Sequence, residues 1–227
     1  MASIAQLVSE MAHAISQPNN NSLRENLKLL IIQTRNEVIR ANYEQQGYVD
    51  KILTQRFKVS LTEVNDGDEI LPEEYSDIDL TKIKRTLQKV PRPVRLTNNL
   101  PFDRVSSVGF ETSIEYPYIK ETTARFRSSV PGLCGMPCYD YINEYIYIFP
   151  TNCKPFQQNS IIIESVFEHP NEIALLNRTL SEDDIWLDKN EYLLSEDMIG
   201  QIKDIIYKRD LLQNVRETNE IPKNIKF

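Results

Sequence analysis

Glycine, histidine and cysteine are scarce in this chain, and each shortage closes a class of chemistry. Six glycines in 227 residues form neither a GxGxxG nor a GxxxxGK loop, which removes the familiar backbone cradles for nucleotide phosphates. The two histidines, His13 and His169, stand in no recognisable nucleophile setting, so Ser-His and Cys-His catalysis have little to build on. Three cysteines, an odd number, argue against a disulfide framework. No apolar run approaches the ~20 residues of a membrane span, and Met1-Ala2-Ser3-Ile4 lacks the basic and apolar regions of a signal peptide. The expectation is a soluble intracellular product. Cations are also in the minority: a net charge of -7 disfavours generic nucleic-acid binding, which neutralises phosphates with Lys and Arg.

What the chain does have is a concentration of β-branched and aromatic residues between 139 and 168. Tyr139 to Pro150 and Ser160 to Pro170 read as strands, each ending at a proline that cannot donate to a ladder. Asn143-Glu144 is placed at a tight turn between Tyr141 and Tyr145, giving an antiparallel β unit. Period-two alternation sets Ile146 and Ile148 on one face and Tyr145, Tyr147 and Phe149 on the other. In the second run Ile161, Ile163 and Phe167 oppose Ile162, Glu164 and Val166. Neither face is plainly polar, so both need a cover, from helices of the same chain or from another subunit.

Helical spacing appears at both ends. Ile4, Leu7, Val8, Met11 and Ile15 form one stripe, with His13 off it. Ser22 and Glu25 have the form of a capping box for a second helix running to about Gln45, buried along Leu23, Leu27, Leu30, Ile31, Thr34, Val38 and Ala41 and stopped at Gln46-Gly47. Tyr48 to Phe57 suggests a further short helix and Lys58 to Val64 an extended segment. The prolines of Val90-Pro91-Arg92-Pro93-Val94-Arg95-Leu96 exclude a helix interior there, leaving an extended edge or polyproline-like connector. Strands are expected near Val105 to Val108 and Phe110 to Ile114, and a short helix over Tyr118 to Ser128. Asn171 to Asn177 suggests a helical turn. Ser195-Glu196-Asp197 opens a last helix with Met198, Ile199, Ile202, Ile205, Ile206 and Leu212 on one side. Beyond Gln213 a polar tail carries spaced apolar anchors, Val215, Ile221, Pro222, Ile225 and Phe227, suited to ordering against a partner.

Candidate sites are few. Acidic residues, among them Asp66, Asp68, Glu73 and Glu74, are followed directly by basic ones, Lys82, Lys84, Arg85, Lys89, Arg92 and Arg95. This pair of blocks is either a solvated loop beside a surface strand or a set of complementary contacts between neighbouring copies. Cys134, Cys138, Cys153 and His169 supply three sulfurs and a nitrogen, a workable tetrahedral zinc set, yet the spacing is loose and small buried residues are the commoner explanation. The acidic run lacks the ligand order of an EF-hand, with Gly67 out of place. Trp186, Tyr145 and Tyr147 have the chemistry to stack on bases, although strand aromatics more often fill cores. No cofactor is expected.

A helical start, Lys89 to Leu96, Tyr145-Ile146-Tyr147-Ile148-Phe149-Pro150, Glu164 to Pro170, and the helix from Ser195 with its trailing tail together resemble the head-to-tail ring or adaptor proteins of podovirus-like tailed phages, most nearly those of crAss-like phages. The resemblance runs from about residue 22 to the end. It implies a structural virion protein and not an enzyme: a homo-oligomeric ring, a dodecamer in such proteins, assembled in the host cytoplasm at the head-tail interface. Its partners would be the portal protein and neighbouring tail or ring proteins, with DNA passing through the lumen unbound and no membrane involved. The expected fold is α+β, with an N-terminal helical hairpin and a C-terminal helix forming a helical body, a small antiparallel β module and an extended tail. The corresponding divisions are 1–62, 63–170, 171–212 and 213–227. A two-faced apolar sheet, adjacent opposite charge blocks and an acidic surface past which DNA slides are all compatible with a ring. The alternatives are another tail or ring component of the same virion, a soluble intracellular interaction protein, and a metal-dependent hydrolase.

Overall fold

A computed structural model describes residues 3–64, 83–109, 113–119, 137–149, 156–177 and 192–211. The chain is α+β and divides into two compact units: residues 1–53 with 180–227, and residues 54–179.

The first unit is helical. Helix α1 (Ile4–Ala14) starts with a capping box in which the Ser3 hydroxyl accepts from the Gln6 amide at 3.2 Å and the Gln6 side chain accepts from the Ser3 amide at 2.9 Å. Its buried face is Ile4, Leu7, Val8, Met11 and Ala12. Helix α2 (Asn21–Gln46) is capped by Asn20, whose side chain accepts from the Leu23 amide, and not by the Ser22/Glu25 box read from the sequence. Both Asn and Ser satisfy the first-turn amides equally well, so composition alone does not choose between them. Gly47 ends the helix at φ 77°, a left-handed conformation that glycine adopts without a Cβ penalty. The α2 core stripe is Leu27, Ile31, Thr34, Arg35, Val38 and Ile39. After a 3-10 turn at Lys51–Leu53, the unit resumes with Tyr192, Leu194 and helix α4 (Glu196–Ile206), which buries Met198, Ile202 and Ile206 against α2 before a π turn at Tyr207–Leu211.

Arg35 is the unexpected member of this core. It is wholly buried; Nε donates to the Leu193 carbonyl at 3.1 Å, one terminal nitrogen donates to Asn36 Oδ1 at 3.1 Å, and the guanidinium lies 5.5 Å from the centre of the Tyr192 ring. Burial lowers the guanidinium pKa and pushes the Tyr192 phenol up to about 12, while each partner's presence opposes the other's shift. One planar cation thus ties the 192–194 segment to the middle of α2.

The second unit is a curled antiparallel sheet in the order β3-β6-β1-β2-β5-β4, formed by β1 (Gln55–Glu63), β2 (Lys84–Thr86), β3 (Arg104–Ser107), β4 (Cys138–Ile142), β5 (Tyr145–Phe149) and β6 (Ser160–Ser165). Strand β1 begins at Gln55, where the sequence suggested helix, and residue 62, the expected end of the helical region, lies inside it. Its first part pairs with β6, Phe57 opposite Ile163 and Val59 opposite Ile161; its last three residues pair with β2. Helix α3 (Pro170–Asn177), two turns long, contributes Ile173 to the core of this unit.

The two outer strands do not end the ladder. Ser107 donates to the Ile114 carbonyl at 2.9 Å and Tyr116 to the Val105 carbonyl at 2.8 Å, which pairs residues 114–116 with β3. Ile119 donates to the Tyr139 carbonyl at 3.0 Å and Tyr139 to the Pro117 carbonyl at 3.1 Å, which pairs the following residues with β4. One strap therefore bonds to both edges and closes the sheet into a cylinder, the geometry that removes exposed edges. The segment from Tyr118, expected to be helical, is extended at Tyr118 and Ile119 for this reason, and residues 120–128 lie outside the described residues.

The cylinder corrects the view that the β unit needs a neighbour to cover it. Ile146 and Ile148 point into the cylinder with Phe57, Val59, Val105, Tyr139, Ile161, Ile163 and Phe167. Tyr147 and Phe149, on the opposite face, pack with Val64, Ile83 and Cys138 of the same unit. Both faces are as the alternation assigned them, and both are already buried. The interior is strongly aromatic: Phe102 meets Tyr141 edge-on at 4.9 Å and Phe57 meets Phe167 at 5.4 Å.

Two outcomes test this description. In hydrogen exchange, the amides of Ser107, Tyr116, Ile119 and Tyr139 are expected to be as protected as those in the centre of β6; rapid exchange at Ile119 and Tyr139 alone would show an open cylinder. Arg35→Ala is expected to destabilise the helical unit by about 2–4 kcal/mol, through the vacated volume and the abandoned Leu193 carbonyl. A denaturant titration followed by helical circular dichroism checks it, and a loss under about 0.5 kcal/mol would remove Arg35 from the account.

Candidate functional site

The most elaborated surface of the β unit is the tip of the β4–β5 hairpin. Asn143 and Glu144 have φ of 51° and 69°, the two positive values of a type I′ turn. Asparagine is at home there, but glutamate is not, and a non-glycine residue in this region costs on the order of 1 kcal/mol or more. Glu144 is held by three contacts. Its backbone carbonyl accepts from the Val90 amide at 2.7 Å, and its carboxylate accepts from Lys89 Nζ at 3.1 Å and Arg92 Nε at 2.9 Å. The Tyr141 hydroxyl donates to the Val90 carbonyl at 3.0 Å.

The proline-bearing segment is thereby clamped to the hairpin. It is extended, as its prolines require, and continues as a short ladder in which Val94 donates to the Val166 carbonyl at 2.8 Å and Glu168 to the Arg92 carbonyl at 2.9 Å. Between the clamp and the start of α3 lies a depression of about 480 Å³ lined by Lys89, Val90, Pro91, Arg92, Glu144, Glu168, His169, Glu172 and Leu176. The hydrogen bonds from Lys89 and Arg92 hold the Glu144 carboxyl below the usual glutamate range.

The helical unit has a smaller hollow of about 230 Å³ where the end of α2 meets the start of α4, lined by Ile39, Asn42, Gln46, Tyr48, Val49, Asp50, Leu53, Ser195, Asp197, Met198 and Gln201. Its two ionisable carboxylates face no lysine, arginine or histidine in the lining.

The residues singled out in the sequence fall as follows. Lys84 donates to the Gln158 carbonyl at 3.2 Å and to Asn159 Oδ1 at 3.0 Å; Arg85 lies over the Tyr145 ring at 4.8 Å; Arg92 belongs to the Glu144 clamp; Arg95 is exposed. Much of the described part of the basic block is thus engaged within its own unit. Asp66, Asp68, Glu73, Glu74 and Lys82 lie outside the described residues, as do Trp186 and the tail positions Val215, Ile221, Pro222, Ile225 and Phe227. Cys134 and Cys153 lie outside them too. Cys138 is buried at the far end of β4, roughly 17 Å of strand from the hairpin tip beside which His169 sits, so the structure does not bring these two together. Among the described residues, no three His, Cys, Asp or Glu side chains are grouped to hold a metal ion. Tyr147 is wholly buried, which removes it from any base-stacking surface. Glu144, which organises the clamp, carried no signal in the sequence beyond its place in a turn.

At the hairpin clamp the Glu144 carboxylate is paired with Lys89 and Arg92, whereas the carboxylates of the helical hollow face no cation in its lining. The family model described as phage tail ring protein 2, of crAss-like phages, matches residues 6–226. The chain belongs to that family. Among curated proteins nothing matches it. As a crAss-like phage tail ring protein, it is a structural ring component of the virion, which accords with a molecule whose described features are packing, clamps and hollows. None of the helices among the described residues is long and apolar enough to cross a membrane.

The clamp sets a pH dependence. A carboxylate whose folded pKa is lowered adds stability above its unfolded value, near 4.3, and loses that contribution as pH falls through the lowered folded value. Glu144→Gln is therefore expected to weaken the β unit at neutral pH and to flatten the acid limb of its stability profile below about pH 4.3. Glu144→Gly, which relieves the positive φ while losing the pairs, is expected to change stability by less than about 1 kcal/mol. Thermal melts between about pH 3 and 7 check both; an unchanged acid limb in Glu144→Gln would show that the pairs contribute nothing.

Proposed function

We propose that this ring protein is the head-to-tail adaptor: a closed ring of identical subunits, about twelve by resemblance to such proteins, stacked below the portal and continuing the DNA channel toward the tail. Its role is structural rather than catalytic. The observation that carries the reading is the family match over nearly the whole chain. The physical features that support it are secondary. A net charge of -7 suits a lumen past which DNA moves without sticking. The closed cylinder gives each subunit a rigid block that does not recruit strangers through a bare strand edge. Ring contacts must then be made by side chains, loops and the chain's C-terminal tail.

A second reading is favoured by the family's own description as a tail ring: another ring or tail component of the same virion, stacked away from the portal. Electron microscopy of the purified chain, alone and mixed with portal protein, separates the two. The adaptor reading expects closed rings that cap the portal. Rings that ignore the portal and join a tail component would move the protein to the second position, and a monomer indifferent to both would sink the ring. Deleting Gln213 to Phe227 is expected to leave the circular dichroism spectrum and melting temperature unchanged while abolishing incorporation.

A further inference from the structure

We propose that subunits join through the outer face of β1 on one copy and the rim of the α2–α4 hollow on the next, with Lys58 of the first set against Asp50 and Asp197 of the second. This rests on the ring reading and names the contact that propagates it.

The donor patch follows from the pleat of β1. Phe57 and Val59 point into the cylinder, so Arg56, Lys58 and Ser60 point out. Arg56 stands opposite Glu164 of β6, which balances it, whereas Lys58 stands opposite Ile162. Leu87 donates its amide to the Ser60 carbonyl at 2.9 Å, which places it beside Ser60 on the same outer face, and it is 59% exposed. Other cations of this unit are engaged: Lys84 with Gln158 and Asn159, Lys89 and Arg92 with Glu144. Lys58 forms no hydrogen bond or ion pair among the described residues.

The receptor patch is polar where it is open. Ile39, Leu53 and Met198 are buried at the base of the hollow, while Asp50 and Asp197 are exposed and no lysine, arginine or histidine lines it. Two large apolar side chains stand at its edge: Tyr48, in the lining, is 64% exposed, and Ile52, on the same 3-10 turn as Leu53, is 53% exposed. At about 230 Å³ the hollow is smaller than the ~300–1,000 Å³ typical of cofactor or drug-sized ligands and takes a single long side chain. A lysine meets these demands, since its methylenes lie along the Tyr48 ring and its ammonium reaches the carboxylates.

The patches match in two respects. Each combines exposed large apolar side chains with unbalanced charge, cationic on the cylinder and anionic on the helical unit. Apolar contact supplies the association, and the opposed charges supply its register. The hollow receives no cation from its own chain, so the lysine that enters it belongs to another copy. Donor and receptor are different surfaces, and every copy carries both. The contact is therefore heterologous, the kind that generates rings.

The test mixes equal parts of light and 15N-labelled full-length chain and treats them with a water-soluble carbodiimide, which joins an amine directly to a carboxylate in contact with it. Links are mapped by mass spectrometry, with rings scored in parallel by electron microscopy. The expected result is light-to-heavy links from Lys58 to Asp50 or Asp197. Lys58→Glu is expected to lower ring yield about tenfold, and Lys58→Glu with Asp197→Lys to restore it. Asp197 is the residue to reverse, because Asp50 Oδ1 accepts from the Ile52 amide at 3.1 Å and holds the local turn. Circular dichroism of each variant confirms folding. Links between Lys58 and the hollow of another copy without closed rings would support the docking and sink the ring reading. Rings that survive Lys58→Glu, or whose Lys58 links fall elsewhere or only within one isotopic species, would overturn the docking and leave the ring standing. With neither rings nor links between copies, both fall.

Discussion

The β unit depends on satisfying the backbone groups at the edges of its sheet. A six-stranded sheet has two outer rows of amides and carbonyls, and a row left bare either takes up water or captures another strand. Here residues 113–119 bond first to β3 and then to β4. Once those rows are joined, the curl is fixed, one face of every strand turns inward, and Phe57, Ile146, Ile161 and Phe167 fall into a common interior. The opposite face of β4 and β5 is closed by Val64 and Ile83, which flank β1 and β2. The hairpin tip at the end of β4 and β5 is in turn clamped to the proline segment through Glu144.

Features governed by near neighbours were legible in the sequence. The α1 stripe, the stop at Gly47, the turn at Asn143-Glu144 and the two faces of β5 all follow from spacing or turn chemistry within a few residues. Those set by distant partners were not. Nothing periodic marks 113–119 as a strap, because its pairing partners lie up to some twenty residues away and on different strands. The apolar faces of β5 left the cover open between helices of the same chain and another subunit, because the sequence cannot tell that Ile83 and Val64 return to pack against Tyr147 and Phe149. Arg35 reads as a surface cation on a helix; its burial depends on Tyr192 and Leu193, more than 150 residues later. Of the candidate site residues, the basic ones were visible as a block, but their engagement with Glu144, Gln158 and Tyr145 needed the fold.

This changes why a ring is reasonable. The sequence argument leaned on greasy strands needing company, and those strands are already enclosed. Family membership now carries that conclusion, and the described surface offers hollows and exposed apolar side chains. A component built from sealed blocks keeps its shape before assembly, so contacts between copies need not bear the cost of folding.

The helical unit is assembled from the two ends of the polypeptide, residues 1–53 and 180–227, with the whole cylinder inserted between them. On the ribosome, α1 and α2 emerge first and then wait while residues 54–179, 126 by subtraction, are made. At about 5–20 residues per second that interval is on the order of 6–25 s, during which α2 lacks the helix α4 that packs against it. Tyr192, Leu194 and α4 are made only after the cylinder, so the helical unit can close over α2 only once residues 54–179 have been synthesised.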